Sequence, residues 1–149
     1  MNSIFFHFEE ITPVELPEMK LIQALSLLAE KEEKEIGELN YIFCSDEFLL
    51  NINKEYLDHD YYTDIITFDY SEEKASGDIY ISLDRVFENS QSYEATPDKE
   101  LCRVIAHGLL HLIGYKDKTD EEQELMTAKE DAYLSLFPNF NVPRGTLSD

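Results

Sequence analysis

His107 and His111 stand four residues apart inside one continuous helical pattern. At that spacing both imidazoles leave the same helix face, one turn above the other, and a single ion can touch both. Gly114 then stands where the helix would stop, and the turn it permits swings Asp117 back toward that face, supplying a carboxylate oxygen beside two nitrogens. Three protein ligands leave a fourth tetrahedral position for water, which distinguishes a catalytic zinc site from a closed structural one. Water bound there ionises near neutral pH and becomes a nucleophile. The expectation is therefore one divalent ion per chain, zinc, on His107, His111 and Asp117. A bare His-x-x-x-His pair is more often two ordinary helix residues. Here half of the four histidines fall at ligand spacing, followed by a helix stop and a suitably placed carboxylate. Gly108 sits inside the helix, where glycine costs about 1 kcal/mol relative to alanine, and close approach of another element beneath the site would explain it. In the protease helix His-Glu-x-x-His the glutamate is the general base; Gly108 occupies that position, so a peptidase or amidase reading keeps its metal and loses its base.

The elements that must position these residues can be read from pattern. Ile4 to Phe8 is apolar and aromatic and suits a first strand. Pro17 opens a helix with Leu21, Ile22, Leu25 and Leu28 on one face, and Gly37 marks the exit from it. Residues 39–43 form the next strand, and Ser45, with Asp46 and Glu47 behind it, caps a helix through Leu49, Leu50, Ile52, Asn53 and Tyr56. Residues 65–68 and 79–81 are β-branched and aromatic runs on either side of a connection at 71–77, and are expected to pair antiparallel, with Asp64 and Asp78 in turn or capping duty at the strand starts. From Leu83 the pattern is helical. Thr96 and Pro97 open the helix that carries both histidines, and Thr119-x-x-Glu122 is a capping-box signature for a last helix through Leu125, Met126, Ala132, Tyr133 and Leu136. Pro138 and Pro143 mark an irregular tail from about 138. Strands alternating with helices, then consecutive helices, indicate one α+β domain over 1–149, a small mixed sheet with helices packed against it.

Composition bounds the function. The 149 residues, 43% of them hydrophobic, are enough for one core. No stretch approaches the roughly 18 apolar residues of a membrane span, and the first residues lack the basic flank of a signal sequence, so no membrane partner is expected. Cys44 and Cys102 lie far apart and form no metal clip; a reducing cytoplasm fits. Thirty-two acidic against twelve basic residues give a formal charge of −20, a field that repels nucleic acid unless a local patch reverses it.

At the metal helix the chain resembles the YbeY family of bacterial endoribonucleases, also called ribosomal RNA maturation factors. The pattern His-Gly-x-Leu-His-Leu-x-Gly-Tyr-Asp-His is met as His107-Gly108-Leu109-Leu110-His111-Leu112-Ile113-Gly114-Tyr115-Lys116-Asp117. It departs at the end, with Lys116 for the family's Asp and Asp117 for its third histidine ligand; aspartate is itself a competent zinc ligand. Thr63-Asp64-Ile65-Ile66-Thr67-Phe68 and Gly77-Asp78-Ile79-Tyr80-Ile81-Ser82 match two further family segments, and the resemblance runs from about Leu39 to Tyr133. It gives Asp64 and Asp78 a possible place in the cleft. Where the family follows its Asn-x-x-Tyr with an arginine implicated in activity, Asn53-Lys54-Glu55-Tyr56 is followed by Leu57, so a cation that could clamp phosphate is missing there; His59, Lys54, Lys116 and Lys118 are candidate substitutes. The resemblance implies a zincin-like fold with the metal helix under the sheet, and a cytoplasmic hydrolase cutting single-stranded RNA in small-subunit ribosomal RNA maturation and ribosome quality control. Its RNA would be presented on the small subunit or by a basic ribosomal protein. The alternatives are the metallopeptidase or amidase and a non-catalytic assembly factor stabilised by its metal.

Overall fold

A computed structural model describes residues 3–142 of the chain. Its elements run β1 (Ile4–Glu9), α1 (Glu18–Lys31), β2 (Ile36–Cys44), α2 (Asp46–Leu57), β3 (Ile65–Asp69), β4 (Ala75–Ser82), α3 (Leu83–Ser92), α4 (Pro97–Ile113) and α5 (Asp120–Leu134). The four strands form one mixed sheet in the order β1-β2-β4-β3. β1, β2 and β4 are parallel, and β3 closes the edge antiparallel to β4 with Ile65 opposite Ile81. This is the α+β class that the pattern of elements indicated.

Side-chain alternation divides the core in two. Leu39, Tyr41, Phe43, Ile79 and Ile81 face α1, α3 and α4 in the larger cluster. Ile66, with Phe68 and Tyr80 packed beside it, meets Leu49 and Ile52 of α2 in the smaller. α4 is the central helix: Leu101, Val104, Ile105, Ala106, Leu109 and Leu110 are buried, and the Tyr41 hydroxyl donates to the Ile105 carbonyl at 2.9 Å. A Cβ on Gly108 would stand 2.9 Å from Ile79 Cγ2 and 3.4 Å from Ile65 Cδ1. The close approach inferred from its position in the helix is thus made by the sheet.

Several boundaries differ from the sequence reading. α1 ends at Lys31 and Gly37 lies inside β2, because pairing with β4 extends that strand upstream of its apolar run. Gly77, expected in the connection, and Asp78, expected at the strand start, are both inside β4 for the same reason. Leu136 lies past the end of α5, and Leu125 and Ala132 are exposed; α5 buries Met126, Glu130 and Tyr133 instead. Ser45 accepts from Phe48 N as an N-cap, and both arms of the Thr119–Glu122 capping box are present. From 138 to 142 no regular element forms, yet Val142 is buried and Phe140 N donates to Asp98 Oδ2 at 3.1 Å. Pro143 lies outside the described residues. Both cysteines are buried and free, and no helix among the described residues is long and apolar enough to cross a membrane.

Candidate active site

α4 is buried along most of its circumference, but Arg103, His107 and His111 are only half-buried and form a stripe at four-residue spacing, continued upstream by buried Glu100. The upstream part of the stripe, from Glu100 to His107, faces a cleft of about 530 Å³ whose wall also includes Asp64, Asp117 and Glu130. Gly114 ends α4 at φ +128°, a conformation that side-chain-bearing residues rarely adopt. The chain then turns, and Asp117 Oδ2 comes 3.2 Å from His107 Nε2. The other ring nitrogen, Nδ1, lies 2.7 Å from Glu130 Oε2 on α5. Arg103 holds Glu130 from behind, at 3.0 Å, and reaches Asp131 with its second terminal nitrogen at 2.6 Å.

Four carboxyl groups share a wall with one guanidinium, and the titration of the cleft follows from that. Burial works against a charge on His107, but the hydrogen bond and charge of Glu130, with Asp117 and Asp64, outweigh it and hold the imidazole above its ordinary pKa. Burial pushes Asp64 above the usual carboxylate range despite the opposing pull of His107. Glu100 rises to about 7, through burial first and then repulsion from Asp64.

Of the three expected ligands, His107 and Asp117 are brought together. His111 is half-buried one turn away, outside the residues lining the cleft. Among the described residues no three His, Cys, Asp or Glu side chains are grouped closely enough to hold one ion. Asp64 lines the cleft while its carboxyl group is also hydrogen-bonded to the local backbone at Asp64 and Ile65; Asp78 lies mid-strand, accepting from Asn40 Nδ2 at 3.2 Å and from the Tyr70 hydroxyl at 3.3 Å. Leu57 is exposed at the end of α2. The candidate substitute cations are elsewhere: Lys54 pairs with Asp60 at 3.5 Å, His59 stacks on Tyr61, and Lys116 and Lys118 are exposed and do not line the cleft. Arg103 is the cation of the cleft. Counting backward from His107 by the same helical period would have found it and Glu100. Glu130 had no such signal, because only the packing of α5 against α4 brings it near.

Comparison with known proteins agrees with this architecture. The family model described as Endoribonuclease YbeY matches residues 9–138. A Cytophaga hutchinsonii protein named Endoribonuclease YbeY is 59% identical over 138 residues, 91% of this chain and 96% of that one. Its namesake from Flavobacterium johnsoniae is 52% identical over 114 residues, 76% of this chain and 82% of its own. A Thermotoga maritima protein solved in solution superposes with a TM-score of 0.65 at 28% identity, covering 89% of this chain and 87% of its own. With a family model matched over nearly its whole length and relatives more than half identical to it, the chain belongs to the YbeY endoribonuclease family.

Proposed function

We propose that this chain is a metal-dependent endoribonuclease that cleaves single-stranded RNA in small-subunit ribosomal RNA maturation and ribosome quality control, with His107, His111 and Asp117 holding one zinc ion. The observation that carries the ligand set is the state of His107. Its Nδ1 is engaged by a buried carboxylate and its Nε2 points at a second one. A carboxylate on the far nitrogen is the usual support of a metal-binding histidine, fixing its tautomer and ring orientation. Two ligands of a tetrahedral zinc, each about 2.0–2.1 Å from it, stand about 3.3 Å apart, and His107 Nε2 and Asp117 Oδ2 are separated by 3.2 Å. His111, on the same helix face, completes a set of two nitrogens and one oxygen, a mixture suited to zinc.

Bound there, the ion would polarise a phosphoryl oxygen and lower the pKa of a water. The chain's own residues do the rest. Glu130 orients His107, and Arg103 fixes Glu130 while placing the cleft's positive charge where a phosphate would enter. Glu100 is neutral below about pH 7, so it can donate a hydrogen bond without repelling the substrate. The −20 charge favours RNA delivered on a small ribosomal subunit or by a basic ribosomal protein over capture of free RNA. A ribosomal substrate would put the enzyme in the cytoplasm.

Elemental analysis of protein purified without added metal should find close to one zinc per chain. Asp117→Ala should bind zinc about 10- to 100-fold more weakly, whereas Asp117→His should retain it, since imidazole is an equally competent ligand. Parent-like affinity in Asp117→Ala would remove Asp117 from the ligand set.

A further inference from the structure

The turn from Gly114 to Thr119 carries Asp117 to His107, and it is tied down at both ends. At its start, Gly114 N and Tyr115 N donate to the Leu110 carbonyl at 3.2 and 3.0 Å. At its end, Lys118 N and Thr119 N donate to Glu122 Oε1 at 3.1 and 3.0 Å. A third tie comes from far away in sequence. The Tyr115 hydroxyl donates to Glu32 Oε1 at 2.6 Å, and Glu32 is the residue that terminates α1. The other oxygen of Glu32 accepts from Lys129 Nζ at 2.9 Å and from the Tyr133 hydroxyl, both on α5. Lys129 also lies 5.4 Å from the Tyr115 ring centroid and 5.9 Å from that of Tyr133. One shielded carboxylate, its side chain 9% exposed, therefore holds the turn and α5 to the same point.

Its neighbours give that arrangement a consequence. Tyr115 is two residues before Asp117, and Lys129 immediately precedes Glu130. Loosening the Glu32 knot would let both carboxylates that bracket His107 drift, although Glu32 touches neither of them. Metal ligation tolerates displacements of only about 0.5 Å.

We propose that Glu32 and Tyr115 are positioning residues that set the turn bearing Asp117 at ligating distance from His107. The inference rests on the ligand set proposed above. Tyr115→Phe removes the tie to Glu32 and keeps the ring; Glu32→Gln keeps the volume and weakens the whole knot. Zinc affinity of the full chain, measured by competition with a chromophoric chelator well below each variant's melting temperature, should fall about tenfold in Tyr115→Phe and by more in Glu32→Gln. In the Asp117→Ala background, Tyr115→Phe should cause almost no further loss, because the ligand it positions has gone. A purely structural role would lower the melting temperature of both variants and leave their affinity unchanged. That outcome, alongside weakened binding in Asp117→Ala, overturns the inference and leaves the ligand set standing. An equal loss from Tyr115→Phe with and without Asp117 overturns it too, since the effect would not pass through Asp117. Unchanged affinity in Asp117→Ala overturns the ligand set and the inference together.

Discussion

Glu100 is a carboxyl group enclosed in a wall that also holds Asp64, Asp117 and Glu130. Burial and the repulsion of Asp64 raise it to about 7 from its ordinary 4.5. The folded protein then keeps this proton over a range of pH in which the unfolded chain has released it. The associated stability is fully present below about pH 4.5 and is lost as pH rises through about 7. In metal-free protein Glu100→Gln should raise the melting temperature by about 2–5 °C at pH 8 and change it little at pH 4.5. The comparison is made by thermal melts across that range in the presence of a chelator. Equal melting temperatures at pH 8 would mean that the Glu100 carboxylate is already well solvated by the cleft. The same residue shows why part of the site was hard to read beforehand. His107 and His111 declare a face by their spacing, whereas a single Glu or Arg in a chain with so many charged residues looks like surface until the helix carrying it is known to be buried on nearly every other side.

At the scale of elements, the site depends on how closely α4 lies against β4 and β3. Gly108 is the point of closest approach, and a methyl group there would press on Ile79 at 2.9 Å. Alanine favours an exposed helix by about 1 kcal/mol, but overpacking a well-filled core costs about 1–3 kcal/mol. Gly108→Ala should therefore destabilise the protein by about 1–2 kcal/mol net, seen as a lower urea midpoint with an unchanged slope. A more stable variant would show that Ile79 moves aside easily. Elements with strong local signals were legible in the sequence: the edge pair β3 and β4, the cap at Ser45, the capping box at Thr119 and the stop at Gly114. Gly37, Gly77 and Asp78 were misplaced because ladder pairing, rather than local preference, extends β2 and β4 through them. Glu130 and Glu32 were invisible for a related reason. Each acts on residues more than twenty positions away, through contacts that exist only once α1, α4 and α5 have packed.

For the molecule as a whole, an acidic chain acts on a polyanion, and most of the charged side chains lining the cleft are themselves acidic. Phosphate contacts by Lys and Arg normally supply most of the affinity for nucleic acid, and among the described residues lining the cleft only Arg103 is of that kind. On the function proposed above, such a site favours RNA that a partner presents over capture of free RNA. A metal held there as proposed would offset part of that negative charge. The most direct test is cleavage of a single-stranded ribosomal RNA segment, with and without small ribosomal subunits, by the zinc-loaded parent and by His111→Ala, with a circular-dichroism melt of each. The account predicts cleavage by the parent, greatest with subunits present, and none by a His111→Ala protein that still melts cooperatively. Undiminished cleavage by that folded variant would contradict it.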